Sequence, residues 1–536
     1  MQQTAETLWK ELLAGPGERR QELLDAVERL VLTSTAPATV SFGTSGWRGE
    51  LGTEFTLRNV QVVAEAIVQL YREADKELLR ALGVKDFADF AERGLLLGHD
   101  NRFMGPRFAA VVAGVFRRHG VRVVYAGEAS TPEYSAGIET MKMACAINLT
   151  PSHNPANYSG FKFNPADGGP AGPEITNRIT ELANARMPWH HYVEDGPYEG
   201  ETVDLKKVYA KFVETKKTID IDLVRRFAAS GDVAIVVDYV HGSTRGRPRA
   251  VLGPDAKLTE LRTETDVLFG GIAPEPSEAN MAGVVAELAK RTEKFKIGVI
   301  FDPDGDRIRL TDGTRQITMN HFGAMVFHYF YTQRGFRGVL AKSVATSDFG
   351  NAIADKLGVK ICETSVGFKN FRPWLLPGAN PMAVAAFEES DGLSGWNNTL
   401  EKDAQFGLLC ALEIVARTGK NLGEYLDDLQ AEFGAFYPER SGFAVDKSLV
   451  GAPLKAKVKA IGEKLAVGQE VPVGFGSKKI AKIITLDGVK VVFEDKSWLL
   501  VRPSGTEPKV RIYAECRVES EKDAMFAAAK ALFDNA

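Results

Sequence analysis

Three aspartates at alternate positions, Asp302, Asp304 and Asp306, come directly after the apolar run of residues 297–301. Gly305 lies between the last two and permits a tight turn that directs the carboxylates toward one point. Negative charges this close repel one another unless a hard cation neutralises them, and ligand sets made only of oxygen favour Mg²⁺ or Ca²⁺ over zinc. The spacing therefore predicts a site for a divalent cation.

Two other interpretations of this acidic segment are weaker. A calcium-binding EF-hand needs glycine at its sixth position and glutamate at its twelfth, where this chain has Arg307 and Gly313. A solvated acidic turn does not account for carboxylates placed between an apolar strand and an arginine. We therefore retain the metal-site interpretation.

A second loop, residues 150–155, places Ser152 and His153 between Pro151 and Pro155. The prolines fix φ and stiffen the loop, so that the serine is held in a way that suits a nucleophile. The glycines of the G-x-S-x-G hydrolase motif are absent. Taken alone, the loop fits a structural turn better than an active site.

A third segment combines Arg502 and Ser504 with Gly505 and Thr506. Arginine binds phosphate through paired hydrogen bonds, and hydroxyl and backbone donors complete the shell, so the set is suited to a phosphate group. An ordinary hairpin turn is the alternative. The glycine-rich segment 42–49 is a candidate for a second phosphate-facing loop, although glycine and serine also mark many turns.

The elements that must position these loops follow a repeating pattern. Short apolar runs alternate with longer helical patterns, which is typical of βαβ units and a mostly parallel sheet. Polar loops follow several of the runs, where open α/β sheets bind ligands. These loops begin at Gly98, Thr150, Asp238, Asp302 and Glu388. The pattern predicts several α/β domains around a shared cleft. Near the C-terminus, tight turns such as Asp487-Gly488 indicate antiparallel hairpins and an α+β domain.

Composition limits the function further. A chain of 536 residues is too long for one hydrophobic core, and three or four domains are expected. The formal net charge of -4 gives no general attraction to nucleic acid or acidic membranes. The four cysteines lie far apart, unlike those of a zinc site or a disulfide scaffold. No export signal or membrane-spanning run is found, so a cytoplasmic protein without membrane or nucleic-acid partners is expected.

The three loops, in this order, resemble those of the α-D-phosphohexomutase family, and the likeness runs from about Val40 to the C-terminus. The resemblance rests on the segments TPSHNP, DPDGDR and RPSGTEP. It implies an α/β fold of three similar α/β domains, with mixed, mostly parallel sheets, and a C-terminal α+β domain around a central cleft. The expected boundaries are 1–38 for an N-terminal helical extension, 39–210, 211–312 and 313–432 for the α/β domains, and 433–536 for the last domain.

The resemblance also implies roles for individual residues. Ser152 resembles the serine that carries the phosphoryl group, and with Asp302, Asp304 and Asp306 it would bind Mg²⁺. The implied catalytic residues also include Arg48 and Arg307, which would stabilise the transferring group, His153 and Lys162 for proton transfer, and Lys369. The implied substrate-binding residues are Lys369, Glu388, Ser390, Arg502, Ser504, Gly505 and Thr506.

Sugar preference is the open part of this interpretation. The segment 366–371 resembles the specificity loop of phosphoglucomutases and favours glucose, with glucose 1,6-bisphosphate as activator and intermediate. Phe387 stands where the family commonly has glycine, and Asp391 follows Ser390. The alternatives are mannose phosphates or a dual preference for glucose and mannose phosphates, and after these glucosamine or pentose phosphates. Only small sugar phosphates are expected as partners, for a monomer or a homodimer.

Two functions outside the family are less well supported. A magnesium phosphatase would use the same aspartates but has no need of a second phosphate site at Arg502. A non-catalytic sugar-phosphate sensor would keep the binding loop and lose Ser152 or one of the aspartates, all of which are present.

Overall fold

The structure, a computed structural model, describes residues 4–43, 46–504 and 508–536. The chain forms two compact units. The first runs to Ile317 and includes Leu375–Gly378 and Asp391–Leu422, and the second consists of Thr318–Trp374, Ala379–Ser390 and Gly423–Ala536. No helix in these ranges has an apolar stretch long enough to span a lipid bilayer.

Two helices, α1 (Ala5–Leu13) and α2 (Arg20–Thr33), open the first unit. The hydroxyl of Thr4 caps α1 by accepting a hydrogen bond from the Thr7 N–H. Trp9 is buried, and its indole N–H donates to the carbonyl of Leu51 over 3.0 Å. The predicted helical pair is therefore present and is anchored to the domain that follows.

The first sheet carries the Ser152 loop. Its strands are β1 (Trp47–Glu50), β2 (Leu95–His99), β3 (Val123–Glu128), β4 (Cys145–Leu149), β5 (Tyr158–Pro165) and β6 (Glu201–Thr202), in the order β1-β5-β4-β2-β3-β6. Strand β2 is parallel to β3 and β4, whereas β5 is antiparallel to β4 and β1. Its helices are α3 (Leu57–Glu73), α4 (Lys76–Leu82), α5 (Phe87–Arg93), α6 (Gly105–Arg118), α7 (Thr131–Met141), α8 (Pro173–Arg186) and α9 (Leu205–Lys216).

The second sheet carries the acidic loop. Its strands are β7 (Val233–Asp238), β8 (Leu258–Leu261), β9 (Phe295–Phe301), β10 (Ile308–Thr311) and β11 (Gln316–Ile317), in the order β11-β10-β9-β7-β8. Its helices are α10 (Ile221–Ala229), α11 (Arg247–Leu252) and α12 (Glu278–Leu288). Strand β9 is parallel to β7 and antiparallel to β10, so the acidic loop connects the carboxyl end of a parallel strand to a hairpin.

The third α/β region contains parallel strands, as the sequence pattern predicted. Strand β12 (Val339–Ser343) is parallel to β13 (Ile361–Thr364) and to β14 (Ala383–Glu388). The helices of this part of the second unit are α13 (Met319–Thr332), α14 (Phe349–Leu357) and α15 (Arg372–Leu375). The chain then contributes β15 (Gly392–Gly395) and α16 (Ala404–Thr418) to the first unit, before α17 (Leu422–Phe433).

The C-terminal sheet is antiparallel throughout. Its strands are β16 (Tyr437–Ala444), β17 (Glu470–Val473), β18 (Gly476–Ile484), β19 (Val489–Phe493), β20 (Trp498–Pro503) and β21 (Lys509–Cys516), in the order β16-β21-β20-β19-β18-β17. Helices α18 (Ala452–Lys464) and α19 (Lys522–Asp534) bury apolar residues such as Leu454 and Met525 against it. The predicted fold class, three mixed α/β domains followed by an α+β domain, is confirmed.

Candidate active site

Ser152 lies in the loop after β4, with its backbone in the left-handed region at φ +57°. This conformation is strained for a residue with a side chain, so surrounding contacts must stabilise it. The Ser152 N–H donates to Thr150 Oγ1 over 3.0 Å, and Arg102 donates to its carbonyl over 2.7 Å. The buried hydroxyl donates to Asp302 Oδ2 over 2.9 Å. The loop thus directs Ser152 Oγ to the first aspartate.

Asp100 and Arg102, on the loop after β2, support this geometry and were missed by the sequence analysis. Asp100 accepts a hydrogen bond from Thr150 Oγ1 over 2.6 Å and pairs with Arg102 Nε over 3.3 Å. Burial raises the pKa of Asp100 to about 6, although Arg102 opposes the rise. The only sequence signal was a polar loop beginning after an apolar run.

The three aspartates converge as predicted. Each offers a carboxylate oxygen, and these oxygens lie within 4.8 Å of one another. Gly305 turns the loop at φ +68°, and the N–H groups of Asp306 and Arg307 both donate to Asp302 Oδ1 over 3.0 Å. Burial and the neighbouring carboxylates raise the pKa of Asp302 well above its usual range. The cost of placing the carboxylates close together therefore falls on Asp302.

The donor set fits Mg²⁺. Oδ1 of Asp304 and Oδ1 of Asp306 are buried and accept no hydrogen bond from any residue in the described ranges. Buried carboxylate oxygens that lack donors are costly, and a cation satisfies them. Ser152 Oγ is within hydrogen-bond distance of the remaining carboxylate, that of Asp302, at 2.9 Å. These oxygens are the ligand type that Mg²⁺ selects.

Two lysines neutralise part of the acidic charge. The Lys162 ammonium lies 2.6 Å from Asp304 Oδ2 and 3.0 Å from Asp306 Oδ2, and that of Lys402 lies 3.2 Å from Asp306 Oδ2. Burial alone would raise the pKa of Asp306, but Lys162, Lys402 and Arg307 hold it well below its usual range. Lys402 was missed by the sequence analysis. The run of charged residues 401–403, directly before an apolar helix, was the signal that could have found it.

Glu401, which belongs to the same run, is also buried near the aspartates. It is 3% exposed, and its Oε1 accepts a hydrogen bond from Asn164 Nδ2 over 2.8 Å. Burial raises the pKa of Glu401 to about 7, although Lys162 opposes the rise. Its protonation therefore changes near neutral pH.

Thr131, the first residue of α7, connects the aspartates to the first domain. Its hydroxyl donates to Asp304 Oδ2 over 2.6 Å and accepts from Lys162 Nζ and Asn148 Nδ2 over 3.2 and 3.1 Å. Its N–H donates to the Asp304 carbonyl over 2.7 Å. Thr131 therefore fixes both the backbone and the side chain of Asp304.

The structure also places the remaining predicted catalytic residues of the first unit. His153 Nδ1 lies 3.2 Å from Ser152 Oγ, and burial, together with Arg307 and Arg48, lowers the pKa of His153 to about 2. Arg48, on β1, donates to Asn154 Oδ1 over 2.7 Å. The side chain of Arg307 lies 3.8 Å from Asp306 Oδ1. The first unit thus brings together Arg48, Ser152, His153, Lys162, Asp302, Asp304, Asp306 and Arg307.

The predicted substrate-binding residues belong to the second unit. Glu388 Oε1 accepts the N–H of Gly367 over 2.6 Å, which joins the end of β14 to the segment that contains Lys369. Arg502 donates from Nε to Asp487 Oδ2 over 2.9 Å. Ser504 is buried and its N–H donates to the Lys509 carbonyl over 2.9 Å. Gly505 and Thr506 lie outside the described residues. Ser390 is the last residue of the segment Ala379–Ser390, which belongs to this unit.

The unusual Phe387 has a structural explanation. It is fully buried, and a Cβ added to Gly323 of α13 would lie 2.2 Å from its ring. Successive residues of a strand point to opposite faces, so Phe387 and Glu388 face different sides of β14. Phe387 packs against α13, on the face of β14 opposite to that of Glu388.

Comparisons with known proteins show the family to which the chain belongs. Models of the four phosphoglucomutase/phosphomannomutase domains match the chain: domain I at residues 39–188, domain II at 207–315, domain III at 318–433 and the C-terminal domain at 449–532. The chain belongs to this family, the α-D-phosphohexomutases. It is therefore a phosphohexomutase, an enzyme of the isomerase class.

Individual relatives are named for different sugars. A phosphoglucomutase of Komagataeibacter xylinus is 27% identical, with 90% of this chain and 88% of the relative covered. A phosphoglucomutase/phosphomannomutase of Thermococcus kodakarensis is also 27% identical, with coverage of 90% and 95%. A solved structure from Thermus thermophilus, assigned as a phosphomannomutase, has 28% identity and a TM-score of 0.74, covering 93% of this chain and 100% of that one.

Proposed function

We propose that the protein interconverts glucose 1-phosphate and glucose 6-phosphate and that Ser152 carries the transferred phosphoryl group. The observation that carries the proposal is the hydrogen bond from Ser152 Oγ to Asp302 Oδ2, 2.9 Å long, beside two further buried aspartates. A hydroxyl held beside a cation site is what phosphoryl transfer through a serine requires. The specificity-loop resemblance at 366–371 supports glucose.

In the proposed cycle, the Oγ–P bond of phosphorylated Ser152 breaks while a free hydroxyl of the hexose monophosphate forms a new O–P bond. The product of this step is the hexose 1,6-bisphosphate. It then returns its other phosphoryl group to Ser152 Oγ and leaves as the isomeric monophosphate. Mg²⁺, bound by Ser152 and the three aspartates, would neutralise charge on the transferring group.

Lys162 and His153 differ in their protonation states. Burial would lower the pKa of Lys162, but Asp304 and Asp306 raise it well above its usual range, so Nζ keeps its proton. His153 stays neutral at neutral pH because its pKa is lowered. A base with so low a pKa is weak, so the low pKa does not by itself favour His153 as the proton acceptor. We assign that role to His153 on geometry, because its Nδ1 lies 3.2 Å from Ser152 Oγ and a dianionic phosphoryl group carried there would raise its pKa toward neutral. Lys162 supplies a fixed positive charge. Arg48 and Arg307 add charge stabilisation to the transferring group.

The proposed substrate-binding residues are those of the second unit: Lys369, Glu388, Ser390, Arg502, Ser504, Gly505 and Thr506. In this proposal Glu388 and Ser390 bind ring hydroxyls. Arg502 and its loop bind the phosphate that is not being transferred. Paired guanidinium–phosphate hydrogen bonds are suited to that role.

Replacing Ser152 by alanine tests the central assignment. Ser152→Ala should lower turnover at least about a thousandfold, because no covalent intermediate forms. Intact mass after incubation with glucose 1,6-bisphosphate should show one added phosphoryl group in the wild type and none in the variant. A variant that keeps wild-type turnover would refute the role of Ser152. Stoichiometric release of free phosphate would instead identify a phosphatase.

A dual glucose and mannose mutase is the second candidate. The Thermococcus kodakarensis relative, with both sugars in its name, is as similar in sequence as the phosphoglucomutase relative. A coupled assay that compares kcat/KM for glucose, mannose and glucosamine 1-phosphates separates these possibilities. Comparable kcat/KM values for glucose and mannose would favour the dual enzyme.

A further inference from the structure

Asp487, in the turn between β18 and β19, contacts two parts of the second unit through one oxygen atom. Its Oδ2 accepts the backbone N–H of Val366 over 3.0 Å and Nε–H of Arg502 over 2.9 Å. Val366 begins the segment 366–371, which the resemblance marks as the specificity loop. Arg502 is the proposed phosphate-binding arginine. A single carboxylate therefore joins two binding elements that are far apart in sequence.

The hydrogen-bonded connection extends beyond Asp487. The next N–H group of the same loop, that of Gly367, donates to Glu388 Oε1 over 2.6 Å. The consecutive N–H groups of Val366 and Gly367 thus contact Asp487 and Glu388, respectively. Asp487 is the partner of Arg502, the proposed phosphate-binding residue, and Glu388 is the proposed sugar-binding residue. The hydroxyl of Ser365 adds a contact of 3.4 Å to the carbonyl of Leu486, beside Asp487. The connection runs from Glu388 through Gly367, Val366 and Asp487 to Arg502.

The turn that carries Asp487 is fixed in place. Gly488 adopts φ +90°, and a Cβ added there would lie 2.3 Å from the carbonyl oxygen of Val501 on β20. Only glycine tolerates both the backbone conformation and this approach. The turn that carries Asp487 is therefore held against β20, the strand that contains Arg502.

The chemistry of arginine explains what this arrangement provides. A guanidinium that donates Nε–H to a carboxylate is oriented in its plane, and the terminal nitrogens of an oriented guanidinium suit paired hydrogen bonds to phosphate. The carboxylate also fixes the backbone of the specificity loop. One side chain therefore positions both elements.

We propose that Asp487 is a positioning residue that couples sugar selection to phosphate binding, because it orients Arg502 and fixes the specificity loop at Val366. The proposal rests on the proposed function, in which these two elements bind the sugar and the phosphate. An ion pair that only stabilises the fold is the alternative. The side chains of Asp487 and Arg502 are 23% and 19% exposed, so solvent screens only part of this ion pair and binding measurements must decide between the two roles.

Binding measurements separate the two possibilities. All variants carry Ser152→Ala, so that calorimetry reports dissociation constants for glucose 1-phosphate, mannose 1-phosphate and inorganic phosphate without turnover. Asp487→Ala should weaken all three ligands by about 10- to 100-fold, the range for a lost hydrogen bond to a charged group. It should also shift the ratio of the two sugar phosphates by about threefold or more toward equality. Asp487→Asn retains an accepting oxygen for Val366 and should keep the sugar ratio.

Two further variants serve as reference and control. Arg502→Ala should weaken both sugar phosphates by the same factor and leave their ratio unchanged. Asp495, in the next turn of the same sheet, pairs with Lys478 and accepts a hydrogen bond from the Ser497 N–H. Asp495→Ala is therefore a matched control that should bind all three ligands normally. The double variant Asp487→Ala/Arg502→Ala should bind inorganic phosphate no more weakly than Arg502→Ala alone.

Each outcome has a defined meaning. An unchanged sugar ratio in Asp487→Ala overturns the coupling, even if phosphate binds more weakly. Unchanged binding of all three ligands overturns any role for Asp487 in positioning. Normal binding in Arg502→Ala refutes the proposed phosphate site instead, independently of Asp487. If Asp487→Ala does not fold, Asp487→Asn decides, because unchanged affinity for all three ligands after loss of the charge would also overturn the proposal.

Discussion

Removing the hydroxyl of Thr131 should weaken magnesium binding without disturbing the fold. In Thr131→Ala, Asp304 Oδ2 loses a hydrogen bond of 2.6 Å and keeps that from Lys162, also of 2.6 Å. The hydrogen bond from a hydroxyl to an ionised carboxylate contributes about 1.5–3 kcal/mol, and Lys162 offsets part of its loss. An increase of about tenfold in the dissociation constant for Mg²⁺ follows, at the lower end of the range for partners of metal ligands.

The assay is calorimetric titration with Mg²⁺, together with kcat at low and saturating Mg²⁺. The helix itself should persist, because Ser130 and Glu133 form the capping box at the start of α7. Thr131→Ser should restore the affinity to within about threefold, since it keeps the donor. Thr418→Ala is a matched control, because that hydroxyl donates to the Ile414 carbonyl of its own helix. Equal magnesium affinity in the alanine and serine variants would refute the role of Thr131.

Three other predictions follow from buried contacts. Lys162→Met should lower the free energy of unfolding by about 3 kcal/mol in the presence of a chelator, because it leaves two buried carboxylates with less positive charge. Urea titration with and without Mg²⁺ measures this loss. A variant that Mg²⁺ does not stabilise would contradict the prediction. Lys459→Met removes an exposed ion pair and is the control, with little expected change. Glu401, with a pKa raised from 4.5 to about 7 in the fold, contributes stability below about pH 4.5 that is lost as pH rises to about 7. Glu401→Gln should therefore be more stable than the wild type above pH 7, by up to about 3 kcal/mol, and similar at low pH; parallel stability–pH curves would refute this. Gly323→Ala should cost about 1–3 kcal/mol because its Cβ meets the Phe387 ring at 2.2 Å, and Phe387→Leu in the same chain should recover part of that loss in thermal unfolding.

Local sequence predicted the fold and part of the site because both depend on short-range patterns. Apolar runs of strand length alternate with helical patterns, which is enough to predict α/β domains and an α+β tail. The second unit shows the limit of this reasoning. The specificity segment at 366–371 could be recognised, but its hydrogen bond to Asp487 joins residues separated by 121 positions.

The sequence by itself determined which side chains are candidates for the chemistry. Asp302, Asp304 and Asp306 share one loop, so their convergence follows from spacing and from the turn at Gly305. Ser152 stands out between its prolines, but the loop taken alone fits a structural turn, and its candidate role came from the family resemblance.

Only the tertiary structure decided what those side chains contact. Ser152 meets Asp302 across 150 positions, and Thr131 meets Asp304 across 173. Lys402 reaches Asp306 from the chain segment before α16. Periodicity reports which face of an element is buried but not which loops of other domains meet it, because those contacts depend on how separate sheets pack.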